Sequence, residues 1–339
     1  MHGRCFLALP IITAVVLLTT GVAWGQAPTI NAEQEASSRT PWGDPDLQGT
    51  WTNTTTTPLQ RPDEFEGRSV LTDEERAELD AQSTGSRERP PTADRSAEWR
   101  RRDAQGAYNS FWVDRGTRST QTSLIVDPAN GRLPALTKRV RERDAAWLET
   151  RSAVPPPPDS WEDLNLYDRC ITRGLPGAMI PGFYNHNYQI LQTPDYVVIL
   201  VEMIHDARII PLDGRPHLSP QLHQWLGDSR AHWEGDTLVV ETTNFDSKGD
   251  QRVRNLVLSG SEYSHVIERF TRIDAETLDY RVTVTDPTTY TRPWTASIPM
   301  LNLDAPIFEY ACHEGNYGME NILHGARAKE KVPPPVASR

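Results

Sequence analysis

Four ionisable side chains alternate along one short segment of the chain, at Asp228, Arg230, His232 and Glu234. Successive side chains of a β-strand point to opposite faces, so this spacing places all four on one face. A histidine beside carboxylates can accept and donate protons near neutral pH, which is the composition of a general acid–base site. The same row is also typical of a strand face in contact with water. Both interpretations, a polar cavity and a solvated surface, remain open.

A second ionisable group ends the most apolar predicted strand and comprises Glu202, His205, Asp206 and Arg208. Charge at the end of an apolar strand is costly unless it is paired. Pairing with the row described above, across a barrel, would satisfy both groups and create a site. A structural ion network is the alternative.

Two further segments combine hydrogen-bonding groups with an aromatic ring, namely Asn185-His186-Asn187-Tyr188 and Cys312-His313-Glu314-Gly315-Asn316-Tyr317. This composition is typical of a site that orients a polar organic molecule. A lone histidine in such a segment is more commonly a hydrogen-bonded structural residue, which is the alternative here.

These patterns predict two sets of site residues. The predicted catalytic residues are His205, Asp206, His232, Glu234 and His313. The predicted substrate-binding residues are Asn185, His186, Tyr188, Arg208, Asp228, Arg230, Glu314, Asn316 and Tyr317.

Several common chemistries lack their sequence signals. There is no glycine-rich phosphate loop and no Gly-x-Ser-x-Gly elbow of a serine hydrolase. His313-Glu314 is not followed by a histidine at zincin spacing, and there is no Cys-x-x-Cys. We therefore predict no metal and no cofactor, although a mononuclear metal on scattered histidines such as His186, His205 and His232 remains an alternative.

The first 25 residues have the three parts of a secretory signal peptide. Arg4 gives a basic tip, an apolar run extends from Cys5 to Val22, and Ala23 and Gly25 supply small residues two apart. We expect cleavage before Gln26 and a periplasmic or secreted protein. An uncleaved anchor is the alternative, but the run is marginal for a membrane span of about 20 residues.

The net charge limits the classes of partner that we expect, and the cysteine content predicts a disulfide. The formal net charge is −11, and removal of residues 1–25, which contain Arg4 and no acidic residue, leaves −12. Such a charge disfavours nucleic acids and anionic membranes as partners. Cys170 and Cys312 are the two cysteines of the mature chain, and in an oxidising compartment we expect them to form a disulfide. Two buried free thiols are the alternative.

From residue 187 onward, the hydrophobic pattern has a period of two. Predicted strands at 188–192, 196–203, 207–212, 228–233, 237–245, 263–273, 277–285 and 294–300 are separated by turn residues. This pattern predicts a mainly β fold, an antiparallel meander that closes into a lipocalin-like barrel or a sandwich over residues 181–330.

The segment before these strands is polar and rich in proline. Thr72 and Glu75 form a capping box ahead of a short helix over residues 73–81. A second helix is predicted over 135–151, and a third can start at Ser160. We interpret residues 26–180 as an irregular wrap with two or three short helices, and residues 331–339 as a disordered tail.

Four longer strings are similar to a family of uncharacterised exported bacterial proteins. They are Trp42–Trp51 within PWGDPDLQGTW, His205–His217 (HDARIIPLDGRPH), Gly227–Phe245 (GDSRAHWEGDTLVVETTNF) and Tyr310–Ile322 (YACHEGNYGMENI). The resemblance implies a bacterial periplasmic or secreted setting and carries no established activity. Gly49-Thr50-Trp51 also resembles the Gly-x-Trp that opens lipocalin barrels, which implies a calycin-like cup.

The function expected from these patterns is an exported, cofactor-independent enzyme. It would be a lyase, isomerase or hydrolase that acts on a small organic molecule by histidine–carboxylate acid–base chemistry in a β-barrel cavity. A non-catalytic periplasmic binding protein for a small molecule is the alternative, and a structural role in the envelope is a third. The sequence does not determine the oligomeric state.

Overall fold

The structure is a computed structural model that describes residues 39–87, 114, 116–150, 158–182, 184–249 and 261–331. In these residues the fold is a β-sheet of ten antiparallel strands. The strands are β1 (Gly49–Thr52), β2 (Ile125–Asp127), β3 (Asn187–Gln192), β4 (Tyr196–Val201), β5 (Asp206–Pro211), β6 (Asp228–Glu234), β7 (Thr237–Thr243), β8 (His265–Arg272), β9 (Thr277–Thr285) and β10 (Trp294–Asn302). The helices are α1 (Asp73–Arg87), α2 (Lys138–Thr150) and α3 (Tyr317–Glu330).

The strand order is β5-β4-β3-β1-β10-β9-β8-β7-β6, and β2 pairs with β10 beside this path. The path ends at β5 and β6, which approach each other: Arg208 Nη2 on β5 lies 3.4 Å from Ser229 Oγ on β6. The sheet is therefore a nearly closed barrel. We call the line where β5 and β6 meet the seam. The predicted mainly β, barrel-like fold is confirmed.

The barrel interior is filled by side chains rather than hollow. Inward positions alternate along each strand, as with Val197, Ile199 and Val201 on β4, which are all buried. Large, fully buried rings belong to this core, including Trp51, Trp294, Tyr188, Tyr280 and Phe270. Full burial of one such ring stabilises the folded state by about 1.5–3 kcal/mol. A barrel of about eight strands has an interior that side chains can fill, and this barrel uses its interior as the core.

Two strands come from the segment that the sequence assigned to the wrap. β1 lies between β3 and β10, with Trp51 fully buried and the guanidinium of Arg272 5.5 Å from the centroid of its ring. β2 pairs with β10. The described residues before β3 belong to the same compact unit as the barrel. Burial of Trp51 explains why so short a strand is held within the sheet.

The helices follow the local signals with shifted bounds. The capping box of α1 is present, with Thr72 N donating to Glu75 Oε2 at 2.9 Å and Glu75 N to Thr72 Oγ1 at 3.2 Å. The second helix begins at Lys138, since Leu136 is held in a β-bridge to Tyr290. The third is a single 3₁₀ turn, Trp161–Asp163.

Helix α3 was not predicted, and it occupies the end of the segment assigned to the barrel. Asn316 caps it, accepting from Met319 N at 3.2 Å. Just before it, the predicted disulfide is confirmed: Cys170 and Cys312 are bonded with Cα atoms 5.6 Å apart. The predicted signal peptide and residues 332–339 of the predicted tail lie outside the described residues. Within the described ranges, no helix has the length and apolar character needed to cross a membrane.

Candidate functional site

The ionisable row on β6 lies on one face, as predicted, and that face is the outside of the barrel. His232 and Glu234 keep 59% and 49% of their side chains exposed, and His232 Nε2 lies 3.2 Å from Glu234 Oε1. Arg269 Nη2 contacts Glu234 Oε2 at 2.7 Å. Hydrogen bonds from Arg269 and then His232 lower the pKa of the Glu234 carboxyl. The structure therefore does not bring His232 and Glu234 into a cavity.

The other half of the row is better shielded from water. Asp228 is 5% exposed; its Oδ1 accepts from Arg230 Nη1 at 2.6 Å, and its Oδ2 accepts from Leu218 N at 2.9 Å. His217 Nδ1 lies 2.9 Å from the same Oδ2. Asp228 thus ties the start of β6 to the loop before it.

Arg208 points into the barrel, not toward the row on β6. It forms two contacts to the carboxylate of Glu268 on β8, Nη1–Oε1 at 2.9 Å and Nη2–Oε2, and both side chains are almost fully buried. Tyr280 OH donates to Glu268 Oε1 at 3.0 Å. Burial by itself lowers the pKa of the Arg208 guanidinium, but the charge and hydrogen bonds of Glu268 outweigh burial and raise it. This buried ion pair joins opposite walls of the barrel.

The Asn185 segment is held by a second buried carboxylate, that of Glu202. Glu202 is 2% exposed and accepts from Asn185 Nδ2 at 2.8 Å and from Asn187 Nδ2 at 2.6 Å. Asn185 N donates to Asp114 Oδ2 at 2.7 Å. Burial raises the pKa of the Asp114 carboxyl, and the negative charge of Glu202 adds to this effect. The hydrogen bond from Asn185 N lowers the same pKa but does not outweigh burial.

His186 and Tyr188 are buried in structural contacts. His186 is 1% exposed, and burial, together with the positive charge of Arg173, lowers its pKa to about 3. Its Nε2 lies 3.0 Å from Arg173 Nη1. Tyr188 OH accepts from Asn53 Nδ2 at 3.0 Å and donates to Ala178 O at 3.1 Å, and burial raises its pKa. His186 is therefore neutral near pH 7, and neither group is open to a ligand.

The predicted residues of the C-terminal loop surround the disulfide. The rings of His205 and His313 are 6.0 Å apart, and His205 also stacks on Tyr310 at 6.5 Å. His205 borders a hollow of about 10 Å³ beside the disulfide, no larger than a water site. Glu314 and Tyr317 are exposed, whereas Asn316 Nδ2 donates to Asp168 O at 3.0 Å.

A cavity opens at the seam. It has a volume of about 490 Å³ and is lined by residues 206–209 at the start of β5, by residues 223–229 and by Asp246. We call it the seam cavity. Among the predicted site residues, Asp206, Arg208 and Asp228 line it. It lies at the gap between β5 and β6, next to the inward-pointing Arg208, whereas the expected site was the barrel interior.

Three of the lining residues that were not predicted matter for the chemistry of the cavity: His223, Trp225 and Asp246. His223 and Trp225 belong to the connection between the predicted strands at 207–212 and 228–233. The sequence does contain a signal for this wall: His223 and Trp225 are two residues apart, and Gly227 follows two residues later. That glycine has φ +70°, and a Cβ there would lie 2.5 Å from Thr243 O, so no larger residue fits.

Backbone hydrogen bonds hold the missed residues in place. Gln224 N donates to Asn244 O at 3.0 Å, and Asp246 N donates to Gln224 O at 3.0 Å. Asn244 Nδ2 donates to the carbonyls of three residues of the preceding loop, at Leu218, Ser219 and Leu222. These contacts tie residues 244–246 to Gln224 and to the loop before it.

His223 is oriented by its backbone partner. Its Nδ1 lies 2.9 Å from Phe245 O, and a carbonyl oxygen can only accept, so Nδ1 is the nitrogen that carries hydrogen. In the neutral ring Nε2 is then left with a free lone pair. A histidine held in this way can accept a proton and return it.

The seam cavity offers groups for binding and proton transfer, and within the described ranges no three His, Cys, Asp or Glu side chains are grouped to hold a metal ion. Comparison of the sequence with family models found no match. Neither a curated protein nor a solved structure matched the chain.

Proposed function

We propose that the seam cavity binds a small polar organic molecule and that the protein acts on it as an exported enzyme, by acid–base chemistry of its own side chains. The observation that carries this proposal is His223 in the wall of a cavity of about 490 Å³, with Nδ1 engaged and Nε2 available. Such a volume is within the range of small-molecule sites.

Three lining side chains have a role in the proposal. His223 Nε2 removes a proton from the bound molecule and later returns it. The carboxylates of Asp206 and Asp246 accept hydrogen bonds from the molecule and orient it. Proton removal and return are steps that lyases, isomerases and hydrolases share, so the reaction class stays at that level.

A non-catalytic periplasmic binding protein is the second candidate, and one observation favours it. The hydrogen-bond partner of His223 is a backbone carbonyl, whereas histidines in acid–base dyads are commonly oriented by a carboxylate. The same cavity would then hold a ligand without changing it.

The setting outside the cytoplasm rests on two features. The predicted signal peptide, residues 1–25, would direct export, and the family resemblance implies a bacterial periplasmic or secreted protein. The Cys170–Cys312 disulfide supports this, because such bonds persist in oxidising compartments.

The test begins with a screen of polar metabolites for thermal stabilisation of the protein, followed by mass spectrometry of each stabilising compound after incubation. An enzyme converts its compound, and His223→Gln should lower turnover about 10²- to 10⁴-fold while the compound still binds. His324→Gln is the matched control, because His324 lies exposed on α3.

Recovery of the bound compound unchanged would identify a binding protein instead. Equal turnover in the His223→Gln variant and the control would refute the role of His223.

A further inference from the structure

The seam cavity has an unbalanced charge. Arg208 is neutralised by its paired contacts to Glu268, and Asp228 by Arg230 at 2.6 Å. Asp206 and Asp246 line the same space, and neither forms an ion pair within the described residues. Both therefore contribute negative charge, which no ion pair with a described side chain offsets.

The two carboxylates also retain hydrogen-bonding capacity. Asp206 Oδ1 accepts from Ala207 N at 2.8 Å, and Asp246 Oδ1 accepts from Lys248 N at 2.8 Å. A carboxylate offers about four lone-pair positions, so each can accept more hydrogen bonds. In a concave wall such charges attract cations and repel anions, and the net charge of −11 acts in the same direction.

Trp225 adds a surface that suits an organic cation. Its side chain remains 37% exposed although it lines the cavity. The face of an indole ring attracts an ammonium group more strongly than a neutral group of the same shape.

A separate observation indicates a hydrogen-bond acceptor on the ligand. The side chain of Arg208 is 2% exposed and forms part of the cavity wall, yet its buried Nε has no hydrogen-bond partner. A buried N–H without an acceptor is unfavourable, and a ligand oxygen can supply the acceptor.

From these observations we propose that the ligand is a small organic ammonium compound that also carries a hydroxyl or carbonyl oxygen. Its ammonium group lies near Asp206, Asp246 and Trp225, and its oxygen accepts from Arg208 Nε. This inference rests on the seam cavity as the binding site of the proposed function, but it does not require that the protein be an enzyme.

Calorimetric titration of the full mature chain with matched probes tests the ligand class. One set is glucosamine, glucose and glucuronate, and a second is ethanolamine, ethylene glycol and glycolate; each contains an ammonium compound, a neutral counterpart and a carboxylate. In at least one set the ammonium compound should bind at millimolar concentrations and bind most tightly.

Variants locate the interaction. Asp246→Asn should weaken ammonium binding about 10- to 100-fold, since a hydrogen bond to a charged group is lost. Asp236→Asn is the matched control, because Asp236 is 69% exposed in the turn at the far end of β6. Ala207→Trp fills the cavity at an exposed position and should abolish binding.

The outcomes separate the two proposals. Preference for the neutral or anionic probes, no ammonium binding in either set, or an Asp246→Asn affinity equal to that of the control overturns the ligand class. Unchanged binding in the Ala207→Trp variant overturns the seam cavity as the site, and with it the proposed function.

Discussion

Removal of the charge of Glu268 should strongly destabilise the barrel. The change Glu268→Gln keeps the size of the side chain but leaves Arg208 charged in an interior where the two side chains are 2% and 0% exposed. The change also replaces the carboxylate that accepts the hydrogen bond of Tyr280 OH, 3.0 Å from Glu268 Oε1, by a weaker amide acceptor. Loss of one partner of a buried ion pair costs about 3–5 kcal/mol, because the remaining charge has no compensation.

The next residue on the strand provides the control. Arg269 pairs with Glu234 on the outer face, where the side chains are 40% and 49% exposed. Loss of such a surface pair costs about 0.2–1 kcal/mol, so Arg269→Gln changes one charge of the same strand at small cost. The free energies of unfolding of both variants are to be measured by urea titration, with tryptophan fluorescence as the signal.

A second variant distinguishes charge from packing. Replacement of both partners, Arg208→Met with Glu268→Leu, removes the uncompensated charge, and such replacements are often neutral or stabilising. The double variant should therefore be more stable than Glu268→Gln alone. A cost of Glu268→Gln no larger than that of Arg269→Gln, or a double variant less stable than both single variants, would refute the effect of the uncompensated charge.

Two further predictions concern pH and the disulfide. His186 has a pKa of about 3 when folded, against an ordinary value of about 6.5, so the unfolded chain binds the proton first and stability falls as the pH drops between these values. At about pH 4.5 the free energy of unfolding should be about 2.7 kcal/mol lower than at about pH 7.5 because of this group. The His186→Gln variant should not show this part of the decrease. Equal decreases in the unfolding free energy of the unchanged protein and of the variant between about pH 7.5 and about pH 4.5 would contradict the prediction. Replacement of Cys170 and Cys312 by serine should lower the free energy of unfolding by up to about 5 kcal/mol in the chain-entropy model, because the two cysteines are 142 residues apart. Unfolding in guanidinium measures this difference, and equal midpoints for the oxidised protein and the variant would refute it.

The position of the seam cavity follows from how the barrel is filled. Trp51, Tyr188 and Trp294 occupy space that a hollow barrel would give to a ligand. The ends of the strand path, β5 and β6, meet through side chains at Arg208 and Ser229. A cavity is thus left where the wall is incomplete, and its polar lining comes both from the edge strands β5 and β6 and from the connections at residues 223–227 and Asp246.

The strands after residue 187 were predictable because their signals are local. Alternation along β4, with Val197, Ile199 and Val201 inward, and turns such as the one at Gly235 depend on neighbouring residues alone. The same holds for the capping box of Thr72 and Glu75 and for the side-by-side placement of the row on β6. The cysteine pair was predictable because removal of the expected signal peptide, which contains Cys5, would leave two cysteines that allow one pairing.

Only the tertiary structure decided which face of β6 is inside. The period-two pattern places Asp228 and His232 together, but whether their face meets water depends on strands far away in sequence. The insertion of β1 beside β10 likewise depends on burial of Trp51, which no short window contains. The seam cavity needs β5, the loop at His223 and Asp246 to meet, and their contacts arise from closure of the sheet. Local pattern therefore determined the strands after residue 187 and the capped helix α1, whereas long-range packing determined where β1 lies and where the seam cavity opens.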